Sequence, residues 1–260
     1  MKKEGFDVRI VSYEYIHSIN PSDFKALVKA VNPKPNENIL DAFCGYGAVG
    51  KTILAKEKKA NLYFEDESEV QLKRAIKNIT EIPKNRFIST KFPKTGFTQE
   101  FFDKIVIKMG IHEVSKKIQY EVAKEVNRVL KKNGKFIVWD IMLSKKNQKL
   151  FQDVLRKKDE LAGFNILTRE RYFFREDEFI DAMKKGGFSH IKEYRKITYR
   201  FSSNKRLHQE LKGDIKRLNK LNDFIRKVFP EKLKKEMKYK DSGEDIQFNI
   251  VKKIYVMTKK

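Results

Sequence analysis

Apolar residues recur along this chain in two rhythms. Short solid runs, Ile39-Leu-Asp-Ala-Phe43, Asn61-Leu-Tyr-Phe64, Arg86-Phe-Ile-Ser-Thr90, Phe102-Asp-Lys-Ile-Val-Ile107 and Lys135-Phe-Ile-Val-Trp139, have the length and branching of buried strands. Helical stretches separate them. Phe24, Leu27, Val28 and Val31 mark one after Pro21, with Asn20 or Ser22 placed to cap it, and Ser68 caps a second that runs through Ala75. Beyond residue 140 the spacing predicts helices over 145–162 and Glu176–Lys185, the latter stopped by Gly186-Gly187. Residues 168–175 read as an irregular, aromatic and basic connection. Phe188 to Phe201 alternates as a long strand, and Asp245 to Thr258 as its antiparallel mate. Between them Leu207, Leu211, Ile215, Leu218, Leu221, Ile225 and Phe229 recur at steps of three and four, Pro230 interrupts, and Leu233 and Met237 continue the face. Residues 200–240 hold 14 basic and 5 acidic side chains. The pattern predicts one α/β domain with a basic helical insertion at about 202–243, a lid or a dimer arm.

The first strand ends on Asp41 and enters Phe43-Cys-Gly-Tyr-Gly47, with Gly50 close behind. Glycines at 45, 47 and 50 permit a tight turn, close approach of backbone to a ligand, and a helix packed on the strand. Asp41 decides which ligand. A carboxylate here repels a pyrophosphate seated on the helix N-terminus and attracts a cation, such as the sulfonium and ammonium of S-adenosylmethionine. Some 20 residues on, Glu65-Asp-Glu67 closes the second strand, where a carboxylate can accept ribose hydroxyls. Asp66 is the best placed of the three.

These blocks resemble the class I S-adenosylmethionine-dependent methyltransferases, most nearly the branch with quinone-biosynthesis and other small-molecule enzymes. The resemblance runs over about residues 37–143 and more loosely to about 190. It is carried by the glycine turn, by Asp66 with its helix, by Phe102 to Val114, and by Glu125-Val-Asn-Arg-Val-Leu-Lys-Lys-Asn-Gly134 leading into the fifth strand. It implies a Rossmann-like, doubly wound α/β sheet of seven strands, mostly parallel, with an antiparallel last strand. It also implies S-adenosylmethionine as cofactor and S-adenosylhomocysteine as product. Asp41, Phe43, Gly45, Tyr46, Gly47, Glu65, Asp66, Lys108 and Met109 then become cofactor candidates. Relatives often carry an acid after the third strand to meet adenine. Here Ser89-Thr90-Lys91 stands instead, which turns adenine recognition over to Thr90, Lys91 and the backbone near Phe92. Where relatives place Pro-Gly-Gly, Lys132-Asn-Gly134 serves, because Asn tolerates a left-handed backbone. Residues 1–36 become a cap over the cofactor pocket, with Tyr13, Tyr15 and His17 as candidates for closing the site.

Direct displacement needs chiefly positioning, and a general base only for some acceptors. His112, at the end of the fourth strand, is the first candidate, with Glu113 and Tyr172 after it. The lone cysteine, Cys44, excludes an internal disulfide, a multi-thiolate zinc site and the nucleophile of cytosine C5-methylation. A formal net charge of +23 favours an anionic partner. The lysines are nevertheless spread among glutamates on solvated helix faces, and a small-molecule acceptor leads, with RNA methylation and a non-catalytic cofactor-binding subunit as alternatives. No metal site and no transmembrane segment is expected. The start, Met1-Lys-Lys-Glu-Gly-Phe-Asp7, lacks an apolar leader, and the expectation is a cytoplasmic protein, with a homodimer through the insertion one possibility.

Overall fold

The computed structural model describes residues 20–260. Tyr13, Tyr15 and His17 lie outside the described residues. Among the described residues helix α1 (Pro21–Val31) comes first, with the Asn20 side chain accepting from Ser22 N at 2.9 Å. Then come β1 (Asn38–Ala42), α2 (Ala48–Lys56), β2 (Asn61–Asp66), α3 (Glu69–Asn78), β3 (Phe87–Ser89), β4 (Phe102–Lys108), α4 (Lys116–Val129) and β5 (Leu130–Ile141). The second half holds α5 (Gln148–Ala162), α6 (Asn165–Glu170), α7 (Glu176–Lys185), β6 (Phe188–Ser202), α8 (Ile215–Val228), α9 (Glu231–Glu236), β7 (Lys240–Asp241) and β8 (Ile246–Lys259).

Among the described residues the strands form one sheet in the order β3-β2-β1-β4-β5-β8-β6, with the two-residue β7 paired to β8. Strands β1 to β5 are parallel, and β8 runs antiparallel to both β5 and β6. The inner strands are buried on both faces, which is why they read as unbroken apolar runs. Alternate residues feed opposite layers. Ile39, Val106, Ile137 and Trp139 pack with α1, α2 and α3, whereas Leu40, Ile105, Ile107, Phe136 and Val138 pack with α4 and α7. Helix α1 is thus a member of a sheet-covering layer. Within β5, at the irregularity between its pairings Leu130–Phe102 and Lys135–Lys104, Asn133 has φ 63°, the left-handed conformation expected of it.

The paired β6 and β8 run farther than their neighbour. Strand β5 stops where Ile141 faces Lys252, but β6 and β8 stay paired out to Ser202 and Gln247. The overhang projects past the C-terminal ends of the parallel strands, and Tyr199, Phe201, Phe248 and Ile250 on it found a third core with α5 and α8. Here the structure departs from the expected helix over 207–229. Lys212 (φ 59°) and Gly213 (φ 74°) break the run, and Asp214 starts α8 by accepting from Arg217 N at 3.1 Å. Leu207 and Leu211 keep their apolar phase but occupy turns. Leu218, Leu221 and Ile225 of α8 are buried within the chain, each contributing about 1.5–3 kcal/mol before ordering costs. A dimer arm therefore cannot use that face.

Candidate active site

Strand β1 delivers the chain to the site through a tight succession of left-handed residues, Phe43 (φ 52°), Gly45 (φ 55°) and Gly47 (φ 80°). Asp41, 1% exposed, clasps this turn by accepting from Gly50 N at 2.8 Å. Burial pushes the Asp41 carboxyl up to about 7, against the opposing pull of the Gly50 amide and of Lys108, while neighbouring Asp66 pushes it further up. Gly50 is dictated by packing, since a Cβ there would lie 2.1 Å from the Phe64 ring. Gly45 is different. A Cβ built on it meets nothing within 4 Å, so its face stays open toward the pocket.

Strand β2 brings a second group of acids alongside. Asp66 accepts from Gly45 N at 2.8 Å and from Ser68 N at 2.9 Å, tying the strand end to the glycine turn and to the cap of α3. Glu65 is buried, accepts from Phe43 N (3.2 Å) and from the Thr90 hydroxyl (3.3 Å), and is held well above the usual carboxylate range by burial and by Asp66. Burial likewise pushes the Cys44 thiol up, with Asp66, Asp41 and Glu65 adding to it, which makes Cys44 inert. The open pocket between these elements is lined, among the described residues, by the carboxylates Asp41, Asp66, Glu67 and Glu113 and by one lysine, Lys108. Phe43, Gly45, Tyr46 and Met109 line it too, while Gly47 caps α2 beside it. The Tyr46 hydroxyl is buried without a hydrogen-bond partner. Thr90, Lys91 and Phe92 stand behind this wall: Thr90 on Glu65, Lys91 paired with Glu67 at 3.2 Å, and Phe92 stacked on Phe43 at 5.1 Å.

A second, smaller cavity adjoins the first and shares Met109 and Glu113 with it. His112 faces this cavity, stacked on Phe173 with ring centroids 4.6 Å apart. Its Nδ1 lies 2.5 Å from Asp140 and its Nε2 3.3 Å from Glu113. Burial alone would lower its pKa, but Asp140 and Glu113 overcome this and raise it to about 9, so the ring is a cation at neutral pH. Both ring nitrogens are engaged, contrary to the expectation of a base titrating near neutrality. Tyr172 departs from expectation as well. Its hydroxyl donates to Glu178 at 2.8 Å and accepts from Gln148, and its ring lines neither cavity. Its neighbour Arg171 enters the site instead, pairing with Glu113 at 2.5 Å and Asp159 at 2.8 Å.

Residues 39–134 match the family model of the methyltransferase domain. The matched span runs from β1 to the start of β5 and holds the glycine turn, Asp66 and His112. The methyltransferase fold extends over nearly the whole chain in solved structures. A protein of Bacillus halodurans C-125, provisionally described as a methyltransferase, is 19% identical with a TM-score of 0.76, covering 92% of this chain and 99% of its own. Phosphoethanolamine N-methyltransferase 2 of Haemonchus contortus, bound to phosphomonomethylethanolamine and S-adenosylhomocysteine, is 16% identical with a TM-score of 0.55, over 92% of this chain and 53% of that one. Geranyl diphosphate C-methyltransferase of Streptomyces coelicolor, bound to Mg2+, geranyl diphosphate and S-adenosylhomocysteine, is 13% identical with a TM-score of 0.56, over 89% and 78%. Identities this low establish a common fold. No curated protein matches the sequence.

Most of the wall of the second cavity lies beyond the matched span and was not legible in the sequence. Lys158, Arg171, Arg206 and Glu210 come from α5, the loop after α6 and the turns after β6, and Asp140 ends β5 behind His112. One sign was available: a charged residue closing the apolar run Phe136-Ile-Val-Trp139. Among the described residues no group of His, Cys, Asp and Glu could hold a metal ion, and no helix is long and apolar enough to cross a membrane.

Proposed function

We propose that this chain transfers a methyl group from S-adenosylmethionine to a small-molecule acceptor by direct displacement. The observation that supports it is the acid-rich glycine turn. Four carboxylates against one lysine suit a ligand carrying a sulfonium and an ammonium and oppose a pyrophosphate. The open face of Gly45 and the unpartnered Tyr46 hydroxyl leave room and a polar contact for that ligand. Bound there, the cofactor supplies an activated methyl group: an acceptor lone pair forms the new bond to carbon as the carbon–sulfur bond breaks, its pair remaining on sulfur.

The chain's own residues position and insulate. Asp66 is assigned to the ribose hydroxyls, with Asp41 and Glu67 adding negative potential. Thr90, Lys91 and Phe92 act from behind, by fixing Glu65, Glu67 and the Phe43 ring. Glu113, shared by the two cavities, faces the acceptor, and cationic His112 orients it. Residues 37–260 work in this reading as one methyltransferase unit with 202–243 as its lid. A second cavity walled by buried side chains supports a small acceptor over a polynucleotide.

Calorimetry with S-adenosylmethionine tests the reading. Asp66→Ala is expected to weaken binding about tenfold or more, which is ~1.4 kcal/mol or more. Undiminished binding would falsify the donor assignment.

A further inference from the structure

The two adjoining cavities differ in electrical sign. The donor pocket has an excess of carboxylates, as described. Into the second face the cations Lys158, Arg171, Arg206 and His112, against the carboxylates Glu113 and Glu210. Each of these four cations is 5% exposed or less. Asp140 and Asp159 pair with them from behind the wall. One more lysine stands close by. Lys252 is buried, with Nζ 4.1 Å from the centroid of the Tyr199 ring that lines the cavity. Counting these residues, five basic groups meet four acids, Lys252 being only partly ionised at neutral pH.

Stability does not account for such a cluster. Taking a charge out of water costs several kcal/mol even in pairs, and well-packed apolar residues of the same volume commonly serve as well or better. The basic residues also come from five separate parts of the chain: the turn after β4, α5, the loop after α6, the turn after β6, and β8. The overhang and the insertion bring them to one place. Apolar surface accompanies them, since Phe151, Phe173 and Tyr199 line the same space.

Resting on the methyl-transfer reading, we propose that the acceptor carries an anionic group, a carboxylate or a phosphate, held in the second cavity by Lys158, Arg171 and Arg206, with its apolar body against Phe151, Phe173 and Tyr199. Met109 and Glu113 border both cavities, so an acceptor anchored by its anion directs its other end to the donor pocket. Arg171, Lys158 and Arg206 are then specificity-determining residues. Each carries a carboxylate partner (Glu113 and Asp159, Asp159 and Glu210, and Glu210 respectively), which holds the side chains in place before the acceptor arrives.

The test titrates four probes of similar body into the full chain saturated with S-adenosylhomocysteine: phenyl phosphate, benzoate, benzyl alcohol and benzylamine. One or both anions should bind at least about tenfold more tightly than the alcohol and the amine. Which anion is preferred separates a phosphate acceptor from a carboxylate one. Arg206→Met should weaken the preferred anion about tenfold or more, Arg206→Lys should recover part of the loss, and Lys158→Met should act in the same direction, all with S-adenosylhomocysteine affinity kept. Equal or tighter binding of the alcohol or amine overturns the proposal, as does anion binding indifferent to the substitutions. Should Arg206→Met fail to fold, the ranking of probes on the wild-type chain still decides. A chain that binds S-adenosylhomocysteine and no anion refutes the acceptor class alone, and one that does not bind S-adenosylhomocysteine refutes the methyl-transfer reading beneath it.

Discussion

Asp41 should make cofactor binding depend on pH. Burial, opposed only in part by the Gly50 amide and Lys108, pushes its carboxyl up to about 7 in the free protein. At pH 6 about nine in ten molecules therefore carry a neutral Asp41, and at pH 8 about one in ten. A cationic ligand favours the carboxylate. If Asp41 is ionised throughout in the complex, the association constant rises about tenfold from pH 6 to pH 8, ~1.4 kcal/mol, and binding near pH 7 releases about half a proton. Calorimetry in two buffers of different ionisation enthalpy measures both quantities. Asp41→Asn keeps an acceptor for the Gly50 amide and removes the titration, so its affinity profile should lose this slope. The ligand's own amino group titrates alike in both proteins and cancels in the comparison. Identical pH profiles for wild type and Asp41→Asn would refute the reasoning. The same raised carboxyl affects the free fold in the opposite sense. Its contribution to stability is present below the usual 3.8 and is lost as pH rises through about 7, a ceiling of about 4 kcal/mol that Asp41→Asn should abolish.

Gly50→Ala sets a Cβ against the Phe64 ring, itself fully buried and stacked on Phe87 at 4.6 Å, and should cost about 1–3 kcal/mol, read as a melting point lower by several degrees. An unchanged melting point would mean the ring yields freely. His112→Gln removes the cation between buried Asp140 and Glu113 and should destabilise by about 3–5 kcal/mol in denaturant unfolding. A residue serving only as a base would leave unfolding untouched. Burial lowers Lys252 to about 7, with Lys108 and Arg206 adding to the effect of desolvation, so the folded state bears its penalty below pH 7 and sheds it between about 7 and 10.5. Lys252→Met should thus stabilise the chain at pH 6, by at most about 5 kcal/mol, and the gain should shrink toward pH 10; a destabilised variant at pH 6 contradicts this.

The pocket at the glycine turn was legible because its determinants are local. Asp41, the glycines and the Ser68 cap lie within a strand, a turn and a first helical turn, where backbone sterics and capping act over a few residues. Thr90 was a plausible adenine contact from its place after the third strand, yet a neighbouring strand supplies Glu65 and takes up its hydroxyl. The second cavity was hardly legible. His112 stood out by residue type and position, but its charge state depends on Asp140, 28 residues away, and Glu113 meets Arg171 across 58. Between adjacent Arg171 and Tyr172 the chemistry favoured the tyrosine. The direction of the backbone sent the arginine inward and the tyrosine to Glu178.

The alternation of strands and helices, the acid-rich glycine turn and the acid after the second strand were determined by the sequence by itself, because each is a short-range consequence of periodicity, missing side chains and charge. The left-handed Lys212 and Gly213, the overhang of β6 and β8, and the packing of α8 on α5 were decided by the tertiary structure. With them came the second cavity and its cations. Buried charges persist only where partners from distant segments meet them, and that meeting is a property of the folded chain.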